Sequence, residues 1–413
     1  MPRKPPVRIT DIRGLAHLAI DATIGVTELV ESLHHTITRV PGVFGATPGG
    51  RTRGITGLVY GIIRGATRGI GKVLDRVLLP LIPLIRDGET SDEREAILAA
   101  LNGVLGDHLE ARHNPLRIEM QFRYDGKPLS LTPDALATAL PQAGRRILVL
   151  IHGLCMGERQ WRRKEHDHGA ALATDLGVSP VYLNYNTGLP IASNGRKLAT
   201  MLEQLLATWP VPVERIDILA HSMGGLVARS ACHYASLAGN GWLPRLRKLV
   251  FLGTPHHGAP LERGGNWVTL GLELSPYTAA FSRLAKIRSA GITDLRYGHL
   301  VDEDPGSPDA AGDAATAGGR DRFAHAPDTR AIVPLPPGVG CYALAAVLSA
   351  DPGKLKGILG DGLVLRDSAL GRHGEPRRRL RIPDSHCWTG YGMSHLDLLS
   401  NPAVYAKIRE YLG

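Results

Sequence analysis

The sequence predicts an α/β fold with a mostly parallel central sheet and helices on both of its faces. Three observations favour this fold. Short apolar segments of strand length recur from about residue 147, helical stretches separate them, and the apolar runs are nearly continuous. Alternating strands and helices favour a parallel sheet, and a strand that is covered on both faces is apolar along its whole length.

Five apolar segments are the predicted strands of this sheet: residues 147–151, 181–185, 216–220, 249–252 and 342–348. Helices are predicted over residues 196–206 and 225–235 between strands, and over 402–412 at the end. A β-hairpin is predicted to open the domain, because apolar and polar residues alternate from Leu116 to Tyr124 and are followed by the turn dipeptide Asp125-Gly126.

The residues before this hairpin have a different pattern, typical of amphipathic helices. Helices are predicted over residues 12–37, 55–79 and 91–109, and a boundary near Pro115 divides a helical extension (1–115) from an α/β domain (116–413). Within the domain the pattern loosens at about residues 258–340, where a run rich in Ala, Gly and Asp covers 304–320. This segment is too long for an ordinary connection and is interpreted as a lid-like insert.

Composition narrows the class of protein. The 413 residues are 43% hydrophobic and 21% charged, without an apolar run of membrane-spanning length. The four cysteines lack the spacing of a metal site or disulfide framework, and no apolar signal core follows the basic start, so a cytoplasmic protein is expected. No cofactor or metal motif is present in the sequence. The net charge of +9 favours anionic partners, and without a nucleic-acid motif we expect lipid and no nucleic acid.

One motif carries the chemistry. Ser222 stands between the predicted strand 216–220 and the predicted helix 225–235, in the segment Ala220-His221-Ser222-Met223-Gly224. A serine on a tight strand-to-helix turn is typical of a nucleophile elbow, in which small flanking residues let the strand and helix approach closely. Ala220 and Gly224 occupy those two places, although glycine is commoner than alanine at the first. An ordinary glycine turn with an incidental serine is the alternative.

An acyl-transfer site also needs two N–H donors for the oxyanion, one after the nucleophile and one from the loop after an earlier strand. The backbone amides of Met223 and Leu154 are the candidates. His152 and Gly153 come directly after the predicted strand 147–151 and are expected to shape this loop. The pair is common in ordinary turns, so only its place in the chain order selects it.

The general base and its acid partner are expected later in the chain, in the order serine, acid, histidine. His395 lies just before the predicted terminal helix and is the candidate base. Asp361 lies a short way beyond the predicted strand 342–348 and is the preferred acid, with Asp302 and Asp351 as alternatives. His256 and His257 are interpreted as loop residues that pack near the site.

Four segments in this order resemble the bacterial lipases and the wider lipase/esterase group that includes the inositol-deacylase-like hydrolases. Residues 220–225 resemble the elbow of the Bacillus-type lipases, and 252–258 match the segment after their next strand. Residues 360–364 with 368–370, and 394–397, resemble the stretches that carry the aspartate and histidine of Burkholderia- and Pseudomonas-type lipases. The resemblance covers about residues 145–413 and implies the α/β-hydrolase fold. It also places Asp397 where some of these enzymes bind calcium, but no second carboxylate matches and no metal is expected.

Two enzymatic hypotheses follow, together with a non-enzymatic one. A lipase or carboxylesterase would use Ser222, His395 and Asp361 as its triad and would need no cofactor. An acyltransferase or thioesterase would pass through the same acyl-enzyme, and a lipid-surface scaffold would use the fold without catalysis. An ester or lipid substrate is therefore the expected partner, and the sequence does not predict an oligomeric state.

The extension contains a second pattern of interest. Four glycines and four cations each recur every four residues within 57–76, which places each set on one stripe of a helix: Gly57, Gly61, Gly65 and Gly69, and Arg64, Arg68, Lys72 and Arg76. Residues 51–86 carry seven Lys or Arg against the single acid Asp75. We expect either close packing of another helix over the glycines or attachment to a peripheral membrane or lipid-inclusion surface.

Overall fold

The computed structural model of the chain describes Gly14 and residues 92–259, 289–302, 331–350 and 360–413. The helices predicted at 12–37 and 55–79, most of the insert at 258–340, and Asp351 lie outside the described residues. Contacts divide the chain into two compact units, one of residues 1–94 with 109–117 and one of residues 95–108 with 118–413. In the first unit the Asn114 side-chain amide donates a 3.1 Å hydrogen bond to the Gly14 carbonyl.

The second unit contains an eight-stranded sheet in the order β2-β1-β4-β3-β5-β6-β7-β8. The strands are β1 (Gln121–Tyr124), β2 (Lys127–Pro128), β3 (Arg146–Ile151), β4 (Ser179–Asn184), β5 (Arg215–His221), β6 (Leu246–Leu252), β7 (Gly340–Val347) and β8 (Cys387–Tyr391). Strands β3 to β8 pair in parallel, while β1 is antiparallel to both β2 and β4. The predicted α/β fold with a mostly parallel sheet and an opening hairpin is confirmed.

The described helices are α1 (Asp92–Ala111), α2 (Pro133–Ala139), α3 (His168–Leu176), α4 (Ile191–Thr208), α5 (Met223–Ala238), α6 (Ala290–Tyr297), α7 (Arg366–Ala369) and α8 (Pro402–Leu412). The helices predicted at 91–109, 196–206, 225–235 and 402–412 correspond to α1, α4, α5 and α8. None of the helices in the described ranges has the length and apolarity needed to cross a membrane.

Both faces of the sheet are buried. Ile147, Val149 and Ile151 of β3 belong to one hydrophobic cluster, which includes Leu198 of α4. Leu148 and Leu150, which point to the opposite face, belong to a second cluster that includes Ile408 of α8. Because successive side chains of a strand alternate between faces, a sheet covered on both sides requires apolar residues at every position. This burial explains the continuous apolar runs from which the fold was predicted.

Parallel strands end at one edge of the sheet, and the candidate site residues follow those ends. His152 comes directly after β3, Ser222 after β5 and Gly253 after β6. Asp361 lies in the loop after β7, and His395 lies four residues beyond the end of β8. Because these strands are parallel, the loops that follow them lie at the same edge of the sheet. Crevices at the carboxyl edge of an open α/β sheet are where ligands bind.

Candidate active site

The turn that carries Ser222 has a strained backbone. β5 ends at His221 and α5 begins at Met223, so Ser222 alone makes the turn, with φ 54° and ψ −125°. A positive φ is costly for a residue with a Cβ and persists where the surroundings enforce it. Here the Ser222 N–H donates a 2.8 Å hydrogen bond to the Leu252 carbonyl at the end of β6.

Close approach explains the small residue two positions later. A Cβ added to Gly224 would lie 2.5 Å from the Ile151 carbonyl oxygen and 2.6 Å from that of His152. Both contacts are with backbone, which cannot swing away as a flexible side chain can. Ala220, on the other side of the serine, is completely buried in the sheet. This close approach of strand and helix is the spatial reason for which small residues were expected around Ser222.

His395 and Asp361 form a buried pair. The His395 Nδ1 lies 2.6 Å from Asp361 Oδ2, and each residue is 3% exposed. The other carboxylate oxygen of Asp361 accepts hydrogen bonds from the backbone N–H groups of Leu363 at 3.0 Å and Val364 at 2.8 Å. A carboxylate held in this way accepts from His395, so the imidazole proton lies on Nδ1 and Nε2 is the acceptor.

A single cavity contains both Ser222 and His395. Its remaining wall includes Leu154, Leu295 and Val364, all apolar. Met223 is the first residue of α5, so its N–H has no acceptor within the helix and lies at the positive end of the helix dipole. The structure thus gathers the predicted serine, histidine and loop residue Leu154 around one space, with Met223 directly beside the serine.

Asp302, one of the two alternative acids, lies elsewhere. Asp302 forms an ion pair with Arg196 and accepts a 3.3 Å hydrogen bond from the Tyr234 hydroxyl. Asp351 is outside the described residues. Of the two candidates within the described residues, Asp361 is the one that the structure places on His395.

Two further histidines at the site are buried. Burial lowers the pKa of His152 to about 4, against the opposing effect of its hydrogen bond with the Gly153 carbonyl, and its ring stacks on Tyr185. Burial, and then the charge of His395, lower the pKa of His221 well below its usual value. His221 Nε2 lies 3.3 Å from the His395 carbonyl oxygen, and the two rings are 4.7 Å apart. Both residues are therefore neutral at pH 7, and His221 contacts the backbone of the base.

Sequence reasoning missed the contacts that hold the His395 loop. Asp397 accepts hydrogen bonds from the Ser394 N–H at 3.0 Å and hydroxyl at 2.8 Å, and Lys164 pairs with it at 2.9 Å. Burial raises the pKa of Asp397, but Lys164 and the Ser394 hydrogen bonds outweigh it and lower the pKa to about 2. His168 Nε2 lies 2.9 Å from the Leu398 carbonyl oxygen. The pattern Ser-x-x-Asp at 394–397 is a capping-box signal that could have revealed the Ser394 contact.

These contacts bear on the metal expectation. Both carboxylate oxygens of Asp397 accept hydrogen bonds, one from Lys164 and one from Ser394. Within the described ranges, no group of three or more His, Cys, Asp or Glu side chains is placed to hold a metal ion.

The loop that contains Leu154 is packed against α1. Cys155 follows Leu154 with φ 58°, and its N–H donates a 3.1 Å hydrogen bond to the Thr187 hydroxyl. A Cβ added to Gly103 of α1 would lie 2.2 Å from the Cys155 sulfur, so only glycine allows this contact. Burial raises the pKa of the Cys155 thiol to about 12.

A family model described as a domain of unknown function (DUF7379) matches residues 120–297. No curated protein matches the chain.

Several solved structures are similar. The lipase BlEst2 of Bacillus licheniformis in its mature form is 15% identical, with 63% of this chain and 91% of that chain covered and a TM-score of 0.38. The esterase Pf2001 of Pyrococcus furiosus is 11% identical, with 66% and 81% covered and a TM-score of 0.37. The phospholipase PlaB of Legionella pneumophila is 15% identical, with 54% and 45% covered and a TM-score of 0.32.

Proposed function

We propose that this protein is a serine hydrolase that cleaves carboxylic esters through an acyl-enzyme on Ser222. The observation that supports it best is the combination of a strained serine turn with a buried His395–Asp361 pair, 2.6 Å apart, on one cavity. Strained backbone at a cavity and a histidine oriented by a buried carboxylate are features of activated nucleophile sites.

The steps of the reaction follow from the atoms present. Ser222 Oγ attacks the ester carbonyl while His395 Nε2 takes its proton, and Asp361 stabilises the imidazolium that forms. The amides of Leu154 and Met223 donate to the oxyanion. His395 then protonates the leaving alcohol, and water attacks the acyl-enzyme by the same route in reverse. No cofactor enters these steps.

The apolar wall of the cavity favours acyl esters as substrates. Leu154, Met156, Leu295, Leu363, Val364 and Leu396 contribute to it. The space itself is small, about 20 Å³, and its polar groups are those of the proposed reaction.

Labelling with a fluorophosphonate probe tests the nucleophile directly. We expect the wild-type protein to be labelled and Ser222→Ala to remain unlabelled, with loss of p-nitrophenyl ester hydrolysis. Ser236→Ala is the matched control, because Ser236 is exposed on the same helix α5. Labelling of Ser222→Ala at the wild-type level would refute the proposal. Acyl transfer in place of hydrolysis would appear as an ester product when an alcohol competes with water.

Residues 51–86 supply a second element of the proposal, attachment to an anionic lipid surface. Their seven cations against one acid favour binding to anionic headgroups, an interaction that salt screens. We expect wild-type protein to float with anionic vesicles at low salt and to be released at high salt. Replacing Arg64, Arg68, Lys72 and Arg76 by Gln should abolish flotation, and flotation unchanged by these substitutions would contradict the attachment.

A further inference from the structure

A second cavity of about 370 Å³ lies beside the candidate active site. Seven basic residues line it: Arg229, His256, His257, Arg377, Arg378, Arg379 and Arg381. Its volume falls within the range of typical small-molecule pockets, roughly 300–1,000 Å³. We refer to it as the arginine cavity. The proposed ester hydrolysis uses none of these residues.

The arginine cavity is assembled from three separate parts of the fold. Arg229 is a buried residue of α5, and its guanidinium donates a 2.7 Å hydrogen bond to the Val333 carbonyl. His256 and His257 follow β6, and the arginines from 377 to 381 precede β8. The last segment is fixed by a 2.9 Å hydrogen bond from the Leu380 N–H to the Gly371 carbonyl. The cations therefore converge through the fold itself.

The described residues that line the arginine cavity carry more positive than negative charge. Among the described residues, the carboxylate that pairs with the lining arginines is Glu375, which accepts from Nε of Arg377 and, at 2.8 Å, from Nε of Arg378. Arg379 donates a 2.7 Å hydrogen bond from Nε to the His373 carbonyl. Because a carbonyl carries no net charge, this contact does not neutralise the guanidinium. Arg377, Arg379 and Arg381 are exposed and can present their guanidinium N–H groups to a ligand.

Several guanidinium groups on one cavity favour a ligand with more than one negative charge and several acceptor oxygens. A monocarboxylate is satisfied by one planar arginine fork, whereas a phosphate monoester carries about −1.5 to −2 charge and three acceptor oxygens. Arginine is the preferred side chain for such bidentate phosphate contacts. We infer that the arginine cavity binds the phosphate group of a small organic phosphate, and that Arg379 and Arg381 contribute directly to this binding.

The two cavities are lined by neighbouring residues of one loop. Pro255 lines the cavity of Ser222, whereas the next two residues, His256 and His257, line the arginine cavity. Consecutive Cα atoms are about 3.8 Å apart, so these lining residues lie close to each other. There are two sources of such a phosphate group. One is the headgroup of a lipid ester whose acyl bond reaches Ser222, and this alternative rests on the proposed function. The other is a soluble phosphate compound that binds beside the site.

Calorimetric titration with glycerol 3-phosphate, at constant ionic strength, tests the binding site independently of catalysis. We expect the full-length protein to bind it and the double variant Arg379→Gln/Arg381→Gln to bind at least tenfold more weakly. The control is Arg145→Gln/Arg247→Gln, which removes the same charge from two exposed positions, one directly before β3 and one near the start of β6. No binding by the wild-type protein, or equal affinity in both double variants, would overturn the inference whether or not the protein hydrolyses esters.

A matched pair of substrates separates the two sources, 1-oleoylglycerol 3-phosphate and 1-oleoylglycerol. If the phosphate belongs to the substrate, Arg379→Gln/Arg381→Gln raises KM at least tenfold for the phosphate ester and leaves KM for the neutral ester unchanged. If it belongs to a soluble ligand, glycerol 3-phosphate changes hydrolysis of the neutral ester by the wild-type protein and not by the variant. Equal kinetics of both proteins in both assays would refute a role for the cavity beside Ser222.

Discussion

The turn that carries Ser222 and the loop that carries His395 lie on one cavity but are held in different ways. Backbone contacts hold the turn: Ser222 N–H on the Leu252 carbonyl, and Gly224 against the carbonyl groups of Ile151 and His152. The loop also has a backbone contact, from the His395 N–H to the Asp361 carbonyl at 3.1 Å, but side chains add to it through the carboxylates of Asp361 and Asp397. The first should respond to added volume and the second to lost charge.

The largest effect is expected where the two regions act together. Ser222→Ala, His395→Ala and Asp361→Asn should each lower kcat by about 10⁴-fold or more, and a triple variant should be little worse than the worst single one, because the groups act as a unit. Steady-state kinetics on p-nitrophenyl esters measures this. Wild-type turnover in Asp361→Asn alone would return the acid to Asp302 or Asp351.

Added volume probes the turn. Gly224→Ala should destabilise the protein by about 1–3 kcal/mol, because the new methyl group meets two backbone carbonyl oxygens that must move. Urea unfolding followed by circular dichroism gives the free energy. Gly374→Ala is the control, since a Cβ at Gly374 meets no atom within 4 Å and should change little. Equal stability of the two variants would show that the backbone around the turn moves at little cost to accommodate the added methyl group.

Lost charge probes the loop. The folded-state pKa of Asp397, about 2, lies below the usual value of about 3.9, so its contribution is present above about pH 4 and is lost as pH falls towards 2. With partial exposure this amounts to about 1–2 kcal/mol. Asp397→Asn should therefore be destabilised most at pH 6 and progressively less between pH 4 and 2, measured by urea unfolding.

The exposed Asp384 supplies the comparison, since its side chain is 91% exposed. Asp384→Asn removes one carboxylate from an exposed position away from the His395 loop and is the matched control. A stability gap between wild type and Asp397→Asn that stays constant from pH 6 to 3 would mean that the carboxylate charge is not what anchors the loop.

Metal removal should have the smallest effect of all. Asp397 is engaged by Lys164 and Ser394, and a calcium ion needs about six to eight oxygen ligands. We expect the melting temperature and ester hydrolysis to survive EDTA unchanged. A loss that calcium alone restores would identify a site involving residues other than those described.

The same contrast explains what the sequence could predict. The Ser222 turn is encoded within a few residues, by an apolar strand, small neighbours and a following helix, so a local pattern finds it. His395 and Asp361 are 34 positions apart, and their pairing depends on the order of β7 and β8. Chain order selected both residues, but it could not supply the contacts of Asp397 with Lys164, 233 positions away.

Strand β8 and the arginine cavity were missed for related reasons. β8, Cys387–Tyr391, is mostly half-buried and contains Gly390, so it has neither an alternating nor a continuous apolar pattern. The run Arg377-Arg378-Arg379 is visible in the sequence and resembles any solvated charged stretch. Its meaning depends on Arg229, which α5 brings to the same cavity from about 150 positions earlier.

The rate at which the Cys155 thiol is alkylated can report on local opening of the protein. With its thiol pKa raised to about 12 and its sulfur against Gly103, Cys155 should resist alkylation at pH 8 while the native structure is closed. The rate of Cys155 alkylation would then measure how often the contact between the Leu154 loop and α1 opens, and no residue has to be introduced for the measurement. Mass spectrometry of the Cys155 peptide, timed with and without an ester analogue bound at Ser222, would report whether occupancy of the site slows those openings.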